Sequence, residues 1–475
     1  MLCLSLTACA GQGEKLKADE PVEYEFENVS VHDPSIVEGE DGAYYIFGSH
    51  LAVAKTEDLM NWTYVNQGIK NENEIIPDVY KVMKDAFEWA HSNTFWAPDV
   101  VKLNDGKYHF YYCNCQGDSP LSCLGTAVSE SVAGPYENEG LMLRSGMDAT
   151  EKDADGDLYQ AAYDPNTVDP VVFYDKEGRL WMIYGSYSGG IFVKEMNPDT
   201  GLPLEEGYGE KLLGGNHLRI EAPYVIYNEE TGYYYMFLSF GGLDSYGGYN
   251  IRVCRSENPN GPYVDSMGQE MKDCKGPSGS AFSDVTAQLY GTKLMGGYKF
   301  VWEEGEDGED RRGYLSPGHN SCLYQEETGK YFIIYHTRFE NSGEEHQVRV
   351  HQMFFNEDGW PVIAPYRYTE ETIAPVEKKD VTGTYKYINH GREISADMNE
   401  SEKIELKKDG TITGAVEGKW ELSGDSNVTI EIDGNVYKGV FLEQWDEDGL
   451  KNVMTFTALC SETGVSIWGS GLNAR

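Results

Sequence analysis

The 475-residue chain carries 79 acidic against 38 basic side chains, a formal net charge of −41 distributed along its length. Such a surface repels nucleic acid and anionic membranes, which excludes nucleic acid as a partner and suits a neutral ligand such as a glycan. Aromatic residues make up 13% of the chain, a load that fits packed sheet cores or sugar contacts.

The opening residues, Met1 to Cys9, are apolar over too short a stretch to cross a bilayer. Leu6-Thr7-Ala8-Cys9 resembles a bacterial lipobox, in which the Cys becomes the lipidated N-terminus. Residues 1–22 are therefore expected to be a lipoprotein signal remnant and polar tether, with Cys9 as the lipidated residue. A truncated ordinary signal peptide is the other reading. The protein is expected to be exported, at the cell surface or in the periplasm, and to meet the membrane only through this anchor. Beyond Cys3 and Cys9, seven cysteines show no zinc-like pairing with His. Cys113 and Cys115 read as buried thiols, with a bridge from either to Cys123 left open.

From Val31 a repeating unit governs the chain. A Gly-x-Tyr/Trp-type signature followed by apolar and aromatic residues begins at Gly42, Gly106, Gly178, Gly232 and Gly329. Short β-branched and aromatic runs between Gly and Asp turns read as antiparallel strands. A four-strand unit repeated in this way predicts a five-bladed β-propeller over residues 23–367, with long insertions as surface loops. The segment from about 265 to 318 is expected to be such a loop.

A polar residue stands 7 to 11 positions ahead of each signature Gly: Asp33, Asp99, Asp169, Glu221 and His319. That offset places it at the start of the innermost strand of each blade, so five polar groups are expected to converge on a central cavity. Most Asp-Pro pairs are turns, but Asp33-Pro34 recurs as Asp169-Pro170 in the same register. Trp96 opens the second blade and reads as core or as a sugar platform facing the cleft. Gly125 is a point where backbone can approach a ligand. Ser186-Tyr187-Ser188-Gly189-Gly190 leaves room for a ligand.

After residues 366–380, read as a linker, short alternating strands with tight turns at Asp409-Gly410 and Asp433-Gly434 begin. They predict a separate antiparallel β-sandwich or small barrel over residues 378–475.

Two Asp and one Glu facing one cavity suit glycosidic bond hydrolysis: one acid protonates the leaving oxygen, another activates water. Their environments must push the two pKa values apart. The same acids with one His also suit a divalent cation.

At these residues the chain resembles glycoside hydrolase family 43, over roughly residues 28 to 365. The resemblance implies Asp33 as general base, Glu221 as general acid and Asp169 as the residue that tunes and orients the acid. It also implies inversion, with the two carboxyl groups roughly 6.5–9.5 Å apart. Asn166-Thr167-Val168-Asp169-Pro170, Gly185 to Gly190, Arg219 to Tyr224 and Gly318-His319-Asn320 look most like the endo-1,5-α-L-arabinanases, which act on pectic arabinan. That likeness implies substrate contact by Gly125, Asn166, Thr167, Val168, Ser186, Tyr187 and Ser188, with Trp96 beside them, and a central calcium ion at His319. Calcium prefers oxygen, so one imidazole implies a mostly hydrated ion. Ala222 departs from the pattern, where Gly is expected. The expected protein is a monomer. Exo-acting α-L-arabinofuranosidase or β-xylosidase, and a non-catalytic glycan-binding propeller, are the alternatives.

Overall fold

The computed structural model describes residues 24–117, 119–148, 150–304, 306 and 312–474. The proposed lipidation site Cys9 and its tether lie outside the described residues. The chain is all-β, a β-propeller joined to a C-terminal barrel.

The propeller is built from antiparallel meanders. The first runs Ser35–Glu38, Tyr44–Gly48, Ala52–Thr56 and Thr63–Gln67; the second Trp96–Lys102, Tyr108–Cys115, Ser122–Ser129 and Glu137–Ser145. The third runs Val171–Tyr174, Leu180–Tyr184, Ile191–Met196 and Glu210–Leu213. The fourth runs Ile220–Asn228, Tyr233–Phe240, Asn250–Ser256 and Thr292–Met295, and the last Tyr314–Gln325, Lys330–Phe339, His346–Phe355 and Pro361–Ile363. The innermost strands neighbour one another in chain order, and Tyr314–Gln325 returns to pack on Ser35–Glu38. The signature glycines turn the first strand of each meander into the second. Gly42, Gly106, Gly178, Gly232 and Gly329 all have φ between 68° and 82°, and a Cβ at any of them would meet nothing. Backbone conformation, not space, selects Gly there. The second strands are continuously apolar because they are covered on both faces: Tyr44–Gly48, Tyr108–Cys115 and Leu180–Tyr184 are buried throughout.

The C-terminal unit is a closed antiparallel barrel. Its strands are Gly383–Asn389, Glu402–Leu406, Thr411–Gly414, Gly418–Leu422, Asn427–Ile432, Asn435–Asp446, Lys451–Cys460 and Val465–Ala474. The last strand pairs with both Lys451–Cys460 and Gly383–Asn389, which closes the ring and leaves no free edge.

Two expectations are corrected at the junction. The segment from 265 to 318 is not a plain surface loop: it supplies Thr292–Met295 as the fourth strand of the fourth meander, and buried Leu294, Met295 and Tyr298. The stretch from 366 to 380 is not a free linker, because Tyr366 and Tyr368 are buried and the Tyr366 hydroxyl lies 2.7 Å from Ser470 Oγ. Trp360, Ile363 and Tyr366 share one apolar core with Leu442, Val453 and Trp468 of the barrel. Two short parallel pairings, at Lys293–Val465 and Tyr298–Asn399, continue propeller sheets into the C-terminal region. The seven cysteines among the described residues are all free and buried, so the bridge to Cys123 does not form.

Candidate active site

A residue with a left-handed backbone stands in each innermost strand or two residues ahead of it: Asp33 (φ 57°), Ala97 (24°), Asp169 (54°), Ala222 (57°) and His319 (45°). The strand pairing shifts register around Ala97, Ala222 and His319, the signature of a bulge. These bulges interrupt the regular alternation of faces along the strands.

They also correct the repeat register. In the second meander Ala97, two residues ahead of Asp99, occupies the position of Asp33. Asp99 does not join the central cluster. It accepts from Ser35 Oγ at 2.5 Å and from the Val172 N–H at 2.7 Å, tying the first three meanders together, and burial pushes its carboxyl up to about 6.

The other four predicted groups do converge. Asp33 is almost fully buried. His319 Nδ1 lies 2.9 Å from its Oδ1 and His32 Nδ1 2.8 Å from its Oδ2, while Ser49 Oγ donates to Oδ2. The Asp33 N–H donates to His336 Nδ1 at 3.2 Å. Burial alone would raise this carboxyl, but His319 and His32 hold it well below the usual carboxylate range. Burial would likewise lower His319; Asp33, then Asp169 and Glu221, push it up to about 9.

Glu221 is buried and accepts two hydroxyl hydrogen bonds, from Ser186 Oγ at 2.7 Å and from the Tyr249 O–H at 2.9 Å. Burial, and after it the Asp33 charge, nevertheless raises its carboxyl, against Ser186, His319 and Tyr249. Asp169 Oδ2 accepts from the Ala222 N–H at 3.1 Å, which fixes the turn next to Glu221. Burial, together with Glu221 and Asp33, pushes Asp169 up to about 8 despite His319. One buried site thus holds a carboxylate kept ionised, Asp33, and two carboxyls raised by burial, Glu221 and Asp169, and acid–base hydrolysis requires pKa values set apart in this way.

A cleft of about 620 Å³ opens beside Asp33, lined by His32, Ser49, His50, Trp96 and Arg338 among others. Trp96 is half-buried on this wall; its indole N–H donates to Cys115 O at 3.2 Å and its ring meets His50 edge-on. Tyr187 is half-buried, with its N–H on Ile220 O and its hydroxyl donating to Gly241 O. Ser188 is buried and its carbonyl accepts from the His217 N–H. Asn166 Oδ1 accepts from Ser122 Oγ. Thr167 is wholly buried, with its N–H bonded to Ser122 and Ser145, and Val168 packs on Cys113, Cys115 and Trp96. Gly125 lies mid-strand, where a Cβ would fall 2.5 Å from the Tyr112 ring, so its smallness serves packing inside the meander.

Sequence reasoning misses His32, Ser49, His336 and Tyr249. His336 stands within an apolar strand and Tyr249 in a Gly-rich stretch, and neither shares the offset from a signature Gly that marks the other groups. One signal for Tyr249 exists in Gly318: a Cβ there would fall 2.1 Å from the Tyr249 ring.

The donor set around His319 makes no calcium cage. One of its imidazole nitrogens is committed to Asp33. Among the described residues the group that could gather three ligand atoms is His32, Asp33 and His336, which leaves His319 out and is rich in nitrogen. An ion at His319 would have to take most of its oxygens from water.

The model for glycosyl hydrolases family 43 matches residues 26–290, and a model for a C-terminal lipocalin-like domain matches residues 365–469. The chain is 55% identical over 446 residues to the extracellular endo-α-(1→5)-L-arabinanase 2 of Bacillus subtilis (strain 168), covering 94% of this chain and 93% of that one. The crystal structure of the endo-1,5-α-L-arabinanase from Thermotoga petrophila RKU-1 superposes with a TM-score of 0.89 at 47% identity, covering 94% of this chain and 99% of that one. A family 43 glycoside hydrolase from Bacillus licheniformis superposes with a TM-score of 0.91 at 52% identity, covering 96% of this chain and all of that one. The chain therefore belongs to glycosyl hydrolase family 43.

Proposed function

We propose that this protein is an inverting endo-hydrolase of α-1,5-L-arabinofuranosidic links in arabinan. The observation that carries the reading is one buried cluster in which Asp33 lies between the imidazoles of His319 and His32 while Glu221 accepts from the neutral hydroxyls of Ser186 and Tyr249. It is supported by relatives of 47% and 55% identity that are named endo-α-(1→5)-L-arabinanases.

In this reading Glu221 gives its proton to the leaving oxygen, while Asp33 takes a proton from the water that attacks the opposite face of the sugar. Asp169 orients the acid through the Ala222 N–H, and Ser186 and Tyr249 fix the Glu221 carboxyl in place. Trp96, Asn166 and Tyr187 are the sugar-contacting members of the set, with Ser186 and Ser188 beside them. Gly125, Thr167 and Val168 support the wall from behind.

The propeller is read as five-bladed because the innermost strands of its meanders succeed one another in a closed ring. Residues 23–367 are assigned to it and 378–475 to the barrel. His319 is the residue that would hold a calcium ion, which would be mostly hydrated. Export rests on relatives named extracellular, and anchoring at Cys9 on the lipobox alone. The protein is taken to be a monomer.

The test is a digest of linear 1,5-α-L-arabinan followed by product size and by proton NMR of the anomer released. A ladder of oligosaccharides appearing first as β-anomers is expected, and Glu221→Gln should lower kcat by about 10²–10⁴ with binding kept. Arabinose alone would mean exo action. No cleavage of arabinan or xylan would leave a glycan-binding propeller.

A further inference from the structure

One exposed apolar ring packs against Tyr187, the neighbour of the Ser186 that holds Glu221. Phe282 is 57% exposed, and its backbone is left-handed at φ 56°, a conformation that strains any residue bearing a Cβ. Two interactions fasten it there. Its N–H donates to His217 O at 3.0 Å. Two residues on, Asp284 takes a two-point ion pair from Arg219, with Nε to Oδ1 at 3.0 Å and Nη2 to Oδ2. Arg219 stands two residues ahead of Glu221. The Phe282 ring meets Tyr187 edge-on, with centroids 5.9 Å apart at 67°. Tyr187 follows Ser186, whose hydroxyl donates to Glu221. The segment is thus strapped onto the chain that leads into the acid, and it holds an exposed aromatic ring against Tyr187, the neighbour of Ser186.

Backbone strain and an exposed apolar ring are both unfavourable, and they persist together where a site uses them. A general acid protonates the leaving oxygen, so the sugar units on its side belong to the leaving half of the glycan. Furanose rings present C–H faces that pack on aromatic rings.

We propose that Phe282 is a stacking residue for the leaving half of the glycan chain, beyond the unit next to the cleaved bond, and that it makes cleavage sensitive to chain length. The proposal rests on the arabinan reading above.

The experiment measures kcat/KM of the full-length protein on linear α-1,5-arabino-oligosaccharides of increasing length. Hydrolysis in ¹⁸O-water followed by mass spectrometry assigns each cleavage position. Phe282→Ala is expected to lose about three- to tenfold on long substrates and little on the shortest one cleaved. Cleavage should move towards shorter leaving fragments, while Phe282→Tyr keeps the wild-type dependence and both variants keep the wild-type melting temperature. An equal loss at every length, or no loss at any, with wild type active, overturns the Phe282 assignment alone. An inert wild type overturns the arabinan reading, and this assignment with it.

Discussion

The Tyr249 hydroxyl donates to Glu221 Oε1 at 2.9 Å, across 28 positions of sequence, and opposes the burial that raises this carboxyl. A hydrogen bond to a carboxylate favours the ionised form. Tyr249→Phe should therefore raise the Glu221 pKa further and move the alkaline limb of the kcat/KM profile to higher pH. A limb that stays in place, or moves down, would separate Tyr249 from the titration of the acid.

Ala222 sits at φ 57° with its N–H on Asp169. The left-handed conformation costs an L-residue roughly 1–2 kcal/mol, and Gly avoids this but loses roughly 0.5–1 kcal/mol to greater freedom when unfolded. Ala222→Gly should stabilise the protein by the difference, about 0.5–1 kcal/mol, while keeping the Asp169 hydrogen bond. Chemical denaturation of the two proteins side by side measures it. A destabilised variant would mean that the Ala222 methyl makes packing contacts worth more than the strain.

Glu371 lies at the junction of propeller and barrel, where Thr369 N–H and Gln444 Nε2 donate to it at 2.7 Å and 3.0 Å. Burial raises its carboxyl to about 7 against these donors and Lys330. A carboxyl raised in the folded state stabilises fully below its unfolded pKa, and this contribution is lost as pH rises through the folded value. The wild type should lose that increment between about pH 4.5 and 7. Glu371→Gln, neutral throughout, should show a flatter melting temperature across this window. Parallel curves for the two proteins would show that Glu371 titrates alike folded and unfolded.

Removal of metal tests the calcium assignment directly. Exhaustive chelation should lower the melting temperature, and added calcium should restore it more fully than magnesium, which demands stricter octahedral geometry. His319→Ala should abolish the response. Identical melting curves before and after chelation would remove calcium from this site.

Asp33, Asp169, Glu221 and His319 are legible in the sequence because each precedes a Gly-turn signature at a similar offset. Asp99 shows where that reasoning ends. A strand alternates faces every residue, so one bulge reassigns a side chain, and Ala97 with its left-handed φ stands where Asp33 does in the first meander. The long stretch ahead of residue 318 does not read as sheet, because its apolar residues serve a strand and a core shared with a barrel that follows much later in the chain.

Local pattern is enough to set the β class, the repeated meander, the change into a second β unit and the chain order of the acidic groups. These follow from turn chemistry and strand alternation, which act over a few residues. Other features exist only in the folded ring: His32, Ser49, His319 and His336 surround one carboxylate, Tyr249 reaches Glu221, and the barrel shares a core with the propeller. The Asp33 N–H and its acceptor His336 Nδ1 are 303 positions apart. Their meeting depends on ring closure by the last meander against the first, and no local propensity records it.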